Sequence, residues 1–164
     1  SLGSEMNLRK IEKSELHALL ELYQHLHERD VPLPESQIVD DVWSSIQRSP
    51  DINYFGAFVS EALVSSCTLS IIPNLTRGCK PYGVIENVVT APQFRKQGIG
   101  TAVLQHALKH AWRCECYKVM LLTGRKEERM YQFYESAGFD RHAKQAFLAR
   151  PPLGKAHNKR EKIL

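Results

Sequence analysis

Arg95-Lys96-Gln97-Gly98-Ile99-Gly100 stands between two stretches of different periodicity, and its reading decides the fold. Before it, Val84 to Thr90 is an apolar, β-branched run that reads as a largely buried strand broken by Ala91-Pro92. After it, Ile99, Val103, Ala107 and Ala111 recur every four residues, which predicts a helix from Gly98 to Arg113. Lys118 to Thr123 is a second apolar strand. A helix joining two such strands makes them parallel neighbours in one sheet, because crossovers of this kind are almost always right-handed.

Working outward, Glu127 to Ala137 reads as a short helix stopped by Gly138, the residue best suited to positive φ. Gln145 to Ala149 is expected to add a last strand. Upstream, Asn53–Val59 and Leu63–Ile72 are two strands separated by Ser60-Glu61-Ala62, as in an antiparallel hairpin, and Pro73 to Pro81 is loop-like. Two helices come earlier still. One follows a possible first strand at Arg9–Ile11, takes Ser14 as its N-cap, and carries Leu16, Leu19, Leu20, Tyr23 and Leu26 on one face until Val31-Pro32-Leu33-Pro34 ends it. The other spans Glu35–Arg48, with Ile38, Val39, Val42, Trp43 and Ile46 expected on its buried stripe.

The Arg95–Gly100 loop opens a helix, so the first-turn amides have no intrahelical acceptor. Glycines at 98 and 100 let a ligand approach the backbone, the helix dipole favours negative charge, and Arg95 and Lys96 add two cations. A pyrophosphate is the natural guest. Two generic phosphate loops fail on a required part: a dinucleotide fingerprint needs glycine where Val103 stands, and a P-loop needs Gly-Lys-Ser or Gly-Lys-Thr, which is absent.

Arg95-x-x-Gly98-x-Gly100, following the strand Ile85-Glu86-Asn87-Val88-Val89-Thr90, resembles the Gln/Arg-x-x-Gly-x-Gly/Ala signature of the GCN5-related N-acetyltransferases (GNAT). Phe133-Tyr134-Glu135-Ser136-Ala137-Gly138-Phe139, about forty residues on, is similar to that family's second signature. Element order agrees from Met6 to about Arg150, although only Ile85 to Phe139 is specific. The resemblance implies a mixed α/β fold: a central, mostly antiparallel sheet, flanked by helices and splayed open between the parallel strands Val84–Thr90 and Lys118–Thr123. It implies acetyl-CoA as co-substrate, its pantetheine arm against the backbone of Val88, Val89 and Thr90. The pyrophosphate would then lie on the loop and helix start formed by Arg95, Lys96, Gln97, Gly98, Ile99, Gly100 and Thr101. No metal is called for.

Transfer from a thioester to an amine needs a neutral amine, a donor for the developing oxyanion and a proton for the departing thiolate. Tyr134, resembling a tyrosine at that place in many family members, is the candidate acid; its plain alternative is a half-buried tyrosine packing helix to strand. Glu86 sits on the cofactor strand, two residues before the expected pantetheine contact, and is the candidate base; the alternative is a carboxylate that only orients the substrate ammonium or is salt-bridged. The backbone N–H of Val88 is the oxyanion donor the resemblance implies. Glu127 and Met130 depart from the Asn and Ala common at the last helix, and Arg125 or Arg129 is the candidate replacement for that cofactor contact. His106 and His110, one turn apart, lack a third ligand and read as exposed helix histidines; His25 and His27 read as helix C-terminal residues near an acceptor pocket.

Composition sets the outer bounds. The 164 residues suit one domain, placed at 6–150, with 1–5 as a vector-derived remnant and 151–164 as a basic tail. That tail carries much of the net charge of +4, so nucleic-acid binding is not the expected role. Cys67, Cys79, Cys114 and Cys116 have neither paired spacing nor a zinc pattern and read as idle cytoplasmic thiols. No stretch approaches a membrane span. The function expected is N-acetylation of a primary amine, on a small molecule or a protein, by direct attack in a ternary complex, with a homodimer as a possible assembly. The alternative is a non-catalytic acyl-CoA-binding regulatory module.

Overall fold

The computed structural model describes residues 5–152. The elements run β1 (Met6–Lys10), a 3-10 turn, α1 (Leu16–Tyr23), α2 (Ser36–Arg48), β2 (Ile52–Val59), β3 (Ala62–Ile72), the single turn α3 (Thr76–Cys79), β4 (Tyr82–Thr90), a second 3-10 turn, α4 (Ile99–Arg113), β5 (Val119–Leu121) and α5 (Glu128–Ser136). The strands form one sheet in the order β1-β2-β3-β4-β5. All neighbours are antiparallel except β4 and β5, which are parallel as the crossover predicts.

Each sheet face has its own core. Phe55, Ala57, Cys67, Leu69 and Ile85 meet Val103, Leu104, Ala107 and Ala111 of α4, with Phe133, Tyr134 and Phe139 packed at the edge of this cluster. On the opposite face Phe58, Tyr54 and Leu63 meet Ile11, Leu19 and Trp43. Trp43 also donates its indole N–H to the carbonyl of Lys13 at 2.8 Å, which ties α2 to the first 3-10 turn.

Several elements differ from expectation for identifiable reasons. The first helical segment is capped not by Ser14 but by a capping box, in which Glu12 and Glu15 satisfy each other's backbone. On α1, Leu22 is buried although it lies outside the periodic set, because it packs on Val89 and Ala91. On α2 only Trp43 is fully buried, with Ile46 half-buried against the same cluster; Ile38 and Val42 are exposed, so the helix packs through part of the expected stripe. Residues 145–149 form no strand, and Phe147 is 88% exposed. The chain is instead pinned to α5 earlier, at Arg141, which bonds Glu128 and Glu135 and lies over the Tyr131 ring. The expected remnant and most of the expected basic tail fall outside the described residues.

Candidate active site

The parallel strands share only three pairs, Gly83 with Val119, Val84 with Met120 and Ile85 with Leu121. Beyond Ile85 they part, and β4 keeps a partner only on its β3 side. A bulge occurs at the same level: β3 advances two residues from Ser66 to Thr68 while β4 steps back three, from Val89 to Glu86. Asn87, in the bulge, has φ of +53°, a left-handed conformation that asparagine tolerates better than most residues.

The bulge resets which peptide groups face the opening. Ala91 N–H donates to Val64 on β3, and the Val89 carbonyl accepts from the Ser65 hydroxyl. By alternation, the amides of Val88 and Thr90 face away from β3, toward the gap. Peptide donors and acceptors thus line the open edge at the height where β4 leaves β5.

At the mouth of this gap, α4 begins. Gly98 is its N-cap with φ of +79°, and the first helical bond runs from Ala102 N–H to the Gly98 carbonyl. The amides of Ile99, Gly100 and Thr101 therefore lie in the unbonded first turn. The two glycines have different causes. A Cβ on Gly98 would meet no atom within 4 Å, so the positive φ alone calls for glycine there. A Cβ on Gly100 would come within 3.1 Å of Phe133 Cζ and Thr90 Oγ1; this glycine lets α4 close onto β4 and α5 rather than onto a ligand. Lys96 is also left-handed, and the Arg95 Nε–H donates to the Thr90 carbonyl at 3.0 Å, folding the cationic loop back over the end of β4.

Tyr134 and Glu86 approach the gap from opposite sides. Tyr134, on α5, stands beside Phe133 and Phe139 against the α4-side core, with ring centroids 5.0 and 6.4 Å away. Its phenol is held above the usual tyrosine range, chiefly by burial; Arg125 pulls the other way, and Cys67 and Glu86 add to the rise. Glu86 is exposed and lies directly opposite Thr68, which is itself opposite Tyr54, so these three share the face covered by α1. The base candidate thus follows the last paired residue, Ile85, and the acid candidate packs against the core cluster that contains it.

Arg125 and Arg129 have different surroundings. Arg129 pairs with Glu127 at 2.8 Å on the surface. Arg125 donates through Nη2 to the Leu26 carbonyl at 3.3 Å, which joins the β5–α5 segment to the end of α1. Nothing in the sequence pattern pointed to that contact. His106 and His110 are not simply exposed: both stack edge-on against Phe55, at 5.0 and 5.3 Å, and burial depresses their pKa values. Among the described residues no group of three His, Cys, Asp or Glu side chains is placed to hold a metal ion, and no helix is long and apolar enough to cross a membrane. Of the four cysteines, Cys67 and Cys116 are buried, and burial pushes Cys67 up to about 12.

A splayed parallel pair, a bulge at the parting and a helix N-terminus at the mouth are the arrangement that the resemblance implies for an acyl-CoA-dependent acyltransferase, and the chain belongs to the acetyltransferase (GNAT) family, whose model matches residues 16–139. It is 32% identical over 144 residues, 88% of this chain and 95% of the relative, to a glucosamine 6-phosphate N-acetyltransferase of Trypanosoma brucei brucei. Among solved structures, a putative acetyltransferase from Agrobacterium tumefaciens str. C58 is 41% identical, with a TM-score of 0.83 and coverage of 88% of this chain and 99% of that one. An acetyltransferase from Trypanosoma brucei is 32% identical, with a TM-score of 0.73 over 88% of this chain and 99% of its own. The protein is an N-acetyltransferase that uses acetyl-CoA and an amine acceptor.

Proposed function

We propose that this enzyme acetylates a small primary amine by direct attack within a ternary complex, with Glu86 as base, the Val88 amide as oxyanion donor and Tyr134 as acid. The observation that carries the reading is the place of Glu86 directly after Ile85, the last β4 residue paired with β5, with Tyr134 near enough to feel its charge. Peptide groups from Val88 to Thr90 are suited to pair with a pantetheine arm in the gap. The unbonded amides of Ile99, Gly100 and Thr101, with the cationic Arg95 and Lys96 beside them, suit a pyrophosphate.

In this arrangement Glu86 takes the proton of the attacking ammonium, directly or through water, and leaves a neutral nucleophile. The Val88 N–H faces the gap, where it can bond the oxygen on which negative charge develops. Tyr134, kept neutral by its surroundings, gives its proton to the departing sulfur. An amino sugar phosphate is the first acceptor to try, because the Trypanosoma brucei brucei relative acts on glucosamine 6-phosphate. The test is calorimetric titration with acetyl-CoA, followed by release of free CoA over a panel of amino sugars, amino acids, aminoglycosides and lysine peptides. Absence of binding at millimolar acetyl-CoA would overturn the cofactor site, and full turnover in Glu86→Gln would remove Glu86 from the base role.

A further inference from the structure

Three side-chain oxygens on the α1 face of the sheet are fully enclosed and have no hydrogen-bond partner among the described residues: Tyr23 OH, Ser66 Oγ and Thr68 Oγ1. Ser66 is 0% and Thr68 7% exposed, and both stand on the same side of β3, two residues apart. Buried hydroxyls are almost always bonded, so a cluster left without partners calls for an explanation. Thr68 is its centre. The phenols of Tyr23 and Tyr54 both lie near enough to feel the Thr68 hydroxyl, which draws their pKa values down against the upward push of burial. On its other side, in β4, Thr68 is directly opposite Glu86.

We propose that Thr68 and Tyr23 are positioning residues for Glu86, the Tyr23 phenol donating to the Thr68 hydroxyl and the Thr68 hydroxyl donating to the Glu86 carboxylate. The proposal rests on the reading of Glu86 as the base. Directly opposed antiparallel residues have Cβ atoms about 5 Å apart, within reach of a glutamate rotamer that meets Thr68. A threonine hydroxyl has one proton to give and two lone pairs, so it can serve Glu86 while accepting from Tyr23, and Tyr54 can occupy the remaining lone pair. Burial keeps Tyr23 neutral, and thus a donor, throughout the range in which an acetyl transfer would operate. Tyr134 from the β5–α5 side lies near enough to feel the charge of Glu86, while Tyr23 from α1 and Tyr54 from β2 lie beside Thr68. A hydroxyl bonded to the carboxylate fixes the direction in which the carboxylate faces the gap.

The experiment follows the carboxyl carbon of Glu86 by NMR at neutral pH in protein labelled at the glutamate side chains, its resonance assigned by its loss in Glu86→Gln. In Thr68→Val the resonance should move, and in Tyr23→Phe it should move by less, because the carboxylate loses or weakens its hydroxyl donor. Thr68→Ser, which keeps the hydroxyl, should leave it in place. Turnover at neutral pH should fall about tenfold in Thr68→Val and recover in Thr68→Ser. A resonance unmoved in a folded Thr68→Val protein would overturn the proposal. If the resonance moves as described but Glu86→Gln keeps full turnover, the hydrogen-bonded row stands and its role in catalysis is overturned together with the base assignment.

Discussion

Arg125 and Leu26, ninety-nine positions apart, are joined by a hydrogen bond from the guanidinium to the main-chain carbonyl, 3.3 Å long, across the side of the cleft where α1 ends. The same guanidinium favours ionisation of Tyr134. Arg125 thus connects the acid candidate to the turn that follows α1. Arg125→Ala should cost about 1 kcal/mol of stability or less, because the bond is exposed. Turnover should fall by roughly tenfold, since losing the cation makes the phenol a poorer acid. Arg125→Lys keeps the charge while losing the planar donor, so steady-state kinetics on both variants separates charge from tether.

Tyr134→Phe should lower turnover by about a hundredfold or more while acetyl-CoA affinity stays within about twofold. The pH dependence has a defined sign. Burial raises the phenol above its ordinary value of 10.0, so the proton-donating form persists as pH rises and is lost only above that value. Turnover limited by this acid should therefore be level between about pH 8 and 9.5. A fall within that window that is absent from Tyr134→Phe would mean that the phenol ionises early and would remove it from the acid role.

The two loop glycines should respond differently to one methyl group. Gly98→Ala meets open space but places a side chain at φ of +79°, which costs about 1–2 kcal/mol of backbone strain. Gly100→Ala keeps a helical backbone but presses on Phe133 and Thr90 at 3.1 Å, an overpacking of about 1–3 kcal/mol. Thermal melts give both totals. Only Gly100→Ala, by shifting Phe133, should also disturb the neighbouring Tyr134 and reduce turnover with acetyl-CoA binding preserved.

Asn87→Val puts a β-branched side chain into a left-handed conformation, at about 1–3 kcal/mol. The larger effect should be kinetic, because relaxing the bulge turns the Val88 amide back toward β3. Asn87→Gly, free to take the same φ, should retain turnover within about threefold. Measuring the two side by side tests whether backbone shape, rather than the asparagine amide, matters at this position.

Much of this architecture was legible in the residues. The β-branched run before Arg95 and the four-residue spacing after it fixed the strand, the helix and the parallel pairing, because those elements are buried and their periodicity is strong. Element ends and half-buried surfaces were less readable. Ile38 and Val42 fit a buried stripe, yet both are exposed, and α2 packs on the core through Trp43 with Ile46 beside it. Gln145–Ala149 has strand-like composition but no pairing in the described chain, since propensity alone supplies no partner strand. At the site, Tyr134 and Glu86 were visible as residue types in a motif. The bulge at Asn87, the Arg125–Leu26 bond and the placing of Thr68 opposite Glu86 were not, because each depends on strand register or a contact between distant segments.

The parting of β4 from β5 has a consequence for how such a protein can change over generations. A seam lined by peptide groups offers the same donors and acceptors whatever side chains flank it. Substitutions from Val88 to Thr90 can alter its shape but not its hydrogen-bonding capacity, so one half of the reaction is insulated from drift in side-chain identity. The opposite rim, built from the end of α1, the 24–35 connection and the exposed side of α2, has no such protection. On the proposed reading it is there that mutation would trade one acceptor for another while the groups suited to the acyl donor stay intact.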